Sequence, residues 1–200
     1  MNILLNLTIL YQINTKNVII IGIDPSINCT GVCVYDSEKN LHKYIMIVYK
    51  STKKMKAFQN DYVSIIDYEK RDSNKGEYQI KEYHKAENIY DICNEIKTII
   101  EQYRPDLIQM EGISYGSHGS SALADLAGLN FAIRMILIEC GIDFNILAPT
   151  SIKKFAVGNG GAEKDVIIAS WKKLDRNISD ITNIKLDDLA DSFFIAHYTD

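Results

Sequence analysis

Residues 18–23 (Val-Ile-Ile-Ile-Gly-Ile) form a short, unbroken and largely β-branched apolar run that stops at Asp24-Pro25. Such a run predicts a strand covered on both faces, with Asp24 at its end. A turn around residues 26–29, a second strand over 30–35, a turn over 36–40 and a third strand over 41–49 follow, which predicts an antiparallel meander. Between 50 and 85 the periodicity fails: tyrosines and lysines alternate with acids, and Arg71-Asp72-Ser73-Asn74-Lys75-Gly76 is a turn signal, so this stretch reads as an elaborated hairpin or insertion. Helical spacing returns with Ile89, Ile92, Cys93, Ile96, Ile99, Ile100 and Tyr103. It predicts one amphipathic helix over about 86–103, stopped at Arg104-Pro105 because the residue before proline is pushed out of the α region.

Residues 107–110 predict another strand, which delivers Glu111 at its end ahead of a Gly- and Ser-rich loop over 112–121. Residues 122–140 predict a helix closed by Gly141 at a position that favours left-handed backbone. A strand over 144–148, a short helix over 149–155, a glycine loop at Gly158-Asn159-Gly160-Gly161 and helices over 163–174 and 186–198 complete the set. The order β-β-β-α-β-α-β-α-α predicts an α/β fold, a mixed five-stranded sheet flanked by helices. With 200 residues, one domain over 17–200 is expected, preceded by a leader or added strand over 1–16.

The composition, 46% hydrophobic and 24% charged, excludes a wholly disordered or fibrous chain. A net charge of −4 argues against indiscriminate coating of nucleic acid. The charge is uneven, however: residues 42–85 carry ten Lys/Arg against six Asp/Glu, residues 150–176 six against three, and the remainder is −11. Two basic segments on an acidic body suit a protein that meets phosphates at chosen places, or one with an ordinary uneven surface. Cys29, Cys33, Cys93 and Cys140 form no CxxC pair and read as reduced core thiols. No apolar run reaches the ~20 residues of a membrane span. The apolar opening, residues 3–13, lacks a basic n-region and a small-residue cleavage site, so a cytoplasmic address is expected, in a bacterial or a virus-infected cell.

Four acids stand apart in the sequence: Asp24, Glu111, Asp188 and Asp191. Asp188 and Asp191, three residues apart on a helix, share a face. Asp187 and Asp188 are also explained as cap and first-turn acids, Asp24 as a turn former and Glu111 as a loop acid. Asp191 is not, because it lies inside an apolar run and costs several kcal/mol if buried without a partner. Hard divalent cations take oxygen ligands, and two of them ~3.5–4 Å apart stabilise both the attacking and leaving oxygens of phosphodiester cleavage.

The segments Ile21-Gly22-Ile23-Asp24-Pro25-Ser26 with Thr30-Gly31, Gln109-Met110-Glu111, residues 148–164 from Ala148-Pro149-Thr150 to Gly161-Ala162-Glu163-Lys164, and Asp187-Asp188-Leu189-Ala190-Asp191-Ser192 follow one another in the order seen in the RuvC family of Holliday-junction resolvases. The resemblance spans most of 18–198. It implies an RNase H-like fold, a homodimer, and a crossover junction endodeoxyribonuclease that cuts branched DNA with two Mg²⁺ ions, Mn²⁺ substituting. It implies no nucleotide cofactor and no membrane partner. By matching positions it assigns Asp24, Glu111, Asp188 and Asp191 as metal ligands and Lys164 as the catalytic basic residue near DNA. Ser26 departs from the usual glycine after Asp-Pro, and the 50–85 insertion and the leader lie outside a minimal member of the family; the Ile-, Lys- and Asn-rich composition suggests a phage or viral type of member.

Lys153 and Lys154 beside the glycine loop, Lys53 and Lys54 in the insertion, and Tyr115 and His118 in the loop after Glu111 are further candidates for DNA contact, though each is equally explained as an exposed loop or edge residue. Trp171 reads as a core anchor, and His197 as a helix end facing solvent. The helix over 122–140, with Ala124, Ala127, Gly128 and Ala132, is the candidate dimer surface. The alternatives are a less selective nuclease for flaps, forks or viral packaging, a non-catalytic junction-binding protein, and a relative of actin and sugar kinases, whose first phosphate loop also reads strand-Asp-turn-Thr-Gly.

Overall fold

A computed structural model of the protein describes residues 17–69, 71–72, 76–113, 120–178 and 186–199. The meander forms as expected: β1 (Ile19–Asp24), β2 (Cys29–Asp36) and β3 (Leu41–Val48) pair antiparallel. Then come a short helix α1 (Lys53–Lys56), β4 (Val63–Asp67), a long helix α2 (Tyr78–Tyr103), β5 (Leu107–Glu111), α3 (Ser120–Glu139), β6 (Phe144–Leu147), α4 (Pro149–Val157), α5 (Lys164–Leu174), a 3₁₀ turn at Arg176–Ile178, and α6 (Leu186–Ala196). The sheet has six strands in the order β4-β3-β2-β1-β5-β6, with β5 and β6 parallel to β1.

The sixth strand corrects the sequence reading. The 50–85 stretch is not a hairpin: α1 carries the chain across, so β4 lies parallel to β3 at the sheet edge. Its sequence, Val-Ser-Ile-Ile-Asp, is too short and too mixed to stand out from its polar flanks. The long helix also begins at Tyr78 rather than near 86. Its first two turns are polar and almost entirely exposed, so they show no buried stripe, and they are tied down instead by pairs such as Lys85 with Glu82 at 3.0 Å and with Asp125 at 3.4 Å.

Strict alternation along each strand supplies both faces of the sheet. Tyr44, Met46 and Val48 point to the side covered by α4, α5 and α6, whereas Ile45 and Ile47 point to the side covered by α2 and α3. Ile21, Ile23, Ile108 and Met110 join the second core, so Gly22, Asp24, Gln109 and Glu111 face α6. That parity puts two acids on one face.

Trp171 is fully buried in the first core, and its indole N–H donates to the Tyr44 hydroxyl at 3.0 Å. His197 does not face solvent: it is buried where α6 ends against β3, its Nε2 3.2 Å from Nε2 of His42, while Nδ1 bonds the Phe193 carbonyl at 2.9 Å. Nδ1 of His42 lies 3.2 Å from Asp175, which also accepts from Tyr44 at 2.7 Å. With Nδ1 of His197 donating to Phe193, its Nε2 is left to accept from the facing Nε2 of His42.

Candidate active site

The position of α6 depends on two missing side chains. A Cβ on Gly22 would lie 2.2 Å from the Ser192 carbonyl oxygen and 2.4 Å from the Ala196 nitrogen, and a Cβ on Gly31 would lie 2.2 Å from the Asp188 carbonyl oxygen. Only hydrogen fits at these positions, so the helix backbone lies directly on β1 and β2. Gln109, buried on β5, fastens the far end by donating to the carbonyls of Ala196 at 3.3 Å and Tyr198 at 3.2 Å. Gly31 is the register partner of Asp24, so the first turn of α6 is laid beside the end of β1.

Asp24 and Glu111 are brought together by the parallel pairing of β1 with β5, in which Ile23 opposes Met110. The two carboxyls lie within hydrogen-bond reach of each other. Burial pushes the Asp24 carboxyl well up, and the negative charges of Glu111, Asp188 and Asp191 push it in the same direction. Glu111 is raised by burial and opposed by Lys153 and Lys164. Asp191 is pushed up to about 7 by burial and by Glu111, Asp187 and Asp188, against the pull of Lys164. The sequence-predicted acids are therefore near enough to influence one another electrostatically, in one partly desolvated site.

Lys164, at the start of α5, pairs with Asp187 in the first turn of α6. Its ammonium stays largely exposed while the Asp187 carboxylate is mostly covered, and the pair gives Asp187 a partner that the cap explanation lacked. Lys153 donates to the Ala162 carbonyl at 3.3 Å, which anchors the glycine loop, and its charge reaches Glu111. Lys154 is exposed on α4, and Lys53 is exposed on α1 at the opposite sheet edge, so it is not part of this cleft. Tyr115 and His118 lie outside the described residues, as does the side chain of Lys54.

Two features carried too little sequence signal to find. Asn130, fully buried on α3, donates to the Glu111 carbonyl at 2.9 Å and accepts from Arg134 at 2.5 Å, so a helix on the far face steadies the end of β5. A lone Asn amid the apolar 126–138 run was the available hint. The other is the pair Gly22 and Gly31, which looked like ordinary strand and turn glycines.

The donor set suits a hard divalent cation: oxygen ligands only, partly desolvated, with more negative charge than the nearby lysines offset. Among the described residues no three His, Cys, Asp or Glu side chains are already grouped so as to hold an ion.

A six-stranded mixed sheet carrying acids on β1, β5 and the last helix defines an RNase H-like protein. In solved structures the fold aligns with Thermus thermophilus RuvC in complex with a Holliday junction substrate, at 17% identity and a TM-score of 0.57, over 90% of this chain and 91% of that one. It also aligns with the yeast mitochondrial Holliday junction resolvase Ydc2, at 17% identity and a TM-score of 0.51, over 95% of this chain and 84% of that one. In sequence it is 26% identical to RuvC of Ruminiclostridium cellulolyticum over 179 residues, 89% of each chain, and 27% identical to RuvC of Prochlorococcus marinus subsp. pastoris over 177 residues, 88% of this chain and 92% of that one. The family model for crossover junction endodeoxyribonuclease RuvC matches residues 72–197. The chain belongs to the RuvC family, whose members are divalent-metal-dependent nucleases.

Proposed function

We propose that the protein is a Mg²⁺-dependent endonuclease that resolves four-way DNA junctions in the cytoplasm, with Asp24, Glu111, Asp188 and Asp191 as the ligands of two ions. The observation that carries this reading is the placement of Asp24 and Glu111 at the ends of the paired parallel strands β1 and β5, with the first turn of α6, which carries Asp188, laid on Gly31 beside Asp24. Such a cluster is costly alone and becomes favourable when it neutralises cations. When bound, the ions supply a water acidic enough to attack phosphorus and a Lewis acid for the departing 3′ oxygen.

The protein groups do the rest. Asp24 and Glu111, side by side at the ends of β1 and β5, would offer their carboxylate oxygens to the ions. Lys164 sits at the rim, where its ammonium offsets the charge that builds on the phosphoryl oxygens, and Asp187 sets its reach. Hydrolysis adds water across the P–O3′ bond, leaving a 5′ phosphate and a 3′ hydroxyl. Lys153 and Lys154, beside the glycine loop, supply positive charge for the junction arms.

A second copy completes the enzyme, because a two-fold protein matches a two-fold junction. Its docking face is α3. Gly128 and Ala132 serve the packing of α3 inside the protomer: a Cβ on Gly128 would lie 3.2 Å from Ile89, and Ala132 packs on the core shared with α2. The outward stripe is instead Phe131, Met135 and Ile138, which are 54%, 70% and 68% exposed. Residues 121–139 are long and apolar enough to cross a bilayer by composition, beyond what the sequence reading allowed. Arg134, over the Phe131 ring and bonded to Asn130, ties this helix to the active-site strand and favours a protein partner.

Asp24→Asn should abolish Mg²⁺-dependent cutting of a synthetic four-way junction while keeping its binding, and cutting by this variant at the normal rate would refute the site. Comparing junctions, forks and linear duplexes measures selectivity: equal rates on all three would replace junction resolution by the less selective nuclease.

A further inference from the structure

The turn that carries Asp24 is held from two directions. Locally, the Ser26 N–H donates to the Thr30 hydroxyl at 3.1 Å, and that hydroxyl, fully buried, donates to the Ser26 carbonyl at 2.7 Å. The Asn28 N–H reaches the Ser26 side chain at 3.4 Å. A further tie comes from far along the chain: the Tyr68 hydroxyl donates to the Ile27 carbonyl. Tyr68 follows β4 directly.

Tyr68 is itself rigidly placed. Its N–H donates to the Val48 carbonyl at 2.8 Å, which continues the β3–β4 register, and its side chain is 5% exposed. Its ring meets Tyr49 edge-on at 6.5 Å and packs in the core with Ile27 at its margin. Three residues further on, the Arg71 N–H donates to Asn88 on α2 at 2.8 Å, and the Arg71 guanidinium pairs with Glu87 at 3.1 Å. The hydroxyl is thus fixed by the sheet on one side and by α2 on the other. It bonds a carbonyl three residues past Asp24.

We infer that Tyr68 is a positioning residue for Asp24, and that the crossover to β4 serves as a brace that sets the turn after β1 for catalysis. This rests on the assignment of Asp24 to the active site. Tyr68→Phe removes one oxygen and leaves the ring, the β4 register and the Arg71 ties in place. The freed Ile27 carbonyl lets the turn and Asp24 drift without touching any DNA contact.

The test compares wild type, Tyr68→Phe and Asp24→Asn on a synthetic four-way junction. The readouts are single-turnover cleavage across a Mn²⁺ titration, junction affinity in chelator, and Mn²⁺ binding to the DNA-free protein by calorimetry. Tyr68→Phe is expected to cut about tenfold more slowly, to need more Mn²⁺ for half-maximal rate, to bind Mn²⁺ more weakly without DNA, and to keep wild-type junction affinity. If Asp24→Asn is inactive while Tyr68→Phe cuts and binds Mn²⁺ like wild type, the brace is refuted and the site stands. A Tyr68→Phe loss that appears equally in junction affinity, or with unchanged Mn²⁺ binding, reflects general packing and also refutes it. Normal cutting by Asp24→Asn removes the site and the inference with it.

Discussion

Gly31→Ala tests the placement of the acids without touching any of them. A methyl at Gly31 would stand 2.2 Å from the Asp188 carbonyl oxygen, 2.6 Å from its carbonyl carbon and 3.2 Å from its Cβ. The obstacle is helix backbone rather than a side-chain tip, so the first turn of α6 must withdraw by roughly 1 Å to restore ordinary contact. Overpacking of this kind costs about 1–3 kcal/mol, and in a chain of this size that lowers Tm by about 3–10 °C. The catalytic penalty should be larger in proportion: a misplacement of about 1 Å at a reacting centre costs on the order of 100-fold. Junction cleavage at a temperature where circular dichroism shows the variant folded separates the two effects. Gly128→Ala is the control, because its methyl would meet only the Ile89 side-chain tip at 3.2 Å, so it should cut at the wild-type rate. A folded Gly31→Ala protein with wild-type melting and cleavage would show that α6 does not sit against β2 as described.

The remaining expectations concern pH, packing and assembly. Asp191 is raised from 3.8 to about 7, so the folded state holds a proton the unfolded chain has lost; stability of cation-free protein should therefore fall as pH rises through that window, and Mg²⁺ should raise Tm more at pH 8 than at pH 5 in a melting series. The buried His197 is lowered from 6.5 to about 3, chiefly by burial and then by His42, so the unfolded chain binds the proton first and stability should fall as pH drops through that range; urea midpoints of His197→Leu should fall less steeply there. Asn130→Ala leaves the Glu111 carbonyl without its donor, and should cost about 1–3 kcal/mol in urea unfolding and slow cleavage. Phe131→Glu with Met135→Glu should convert a dimer to monomers in analytical ultracentrifugation and weaken junction binding; an unchanged sedimentation profile would move the interface off α3.

Elements with a strong period were readable from the residues alone. The β1–β2–β3 meander, β5 and the apolar half of α2 each bury a continuous stripe, and that stripe is written in the side chains. Among the acids, Asp191 stood out for a related reason: it interrupts an apolar stretch where neither a cap nor a turn explains it, so it needed a partner wherever the chain went, whereas Asp24, Glu111 and Asp188 each also had a local explanation. β4 and the first turns of α2 were not readable, because β4 is identified by its pairing with β3 and the start of α2 by ion pairs on an exposed surface. The burial of His197 depended on His42, 155 positions away along the chain. Most of all, the distance between the acids is a product of packing: Gly22 and Gly31 look like any flexible residue until α6 lies on them, and the Tyr68 hydroxyl has no meaning until β4 brings it to Ile27. Local chemistry sets which groups are present and which strands they end; their separation is set by backbone contacts between segments that are remote in the chain, which no residue pattern records.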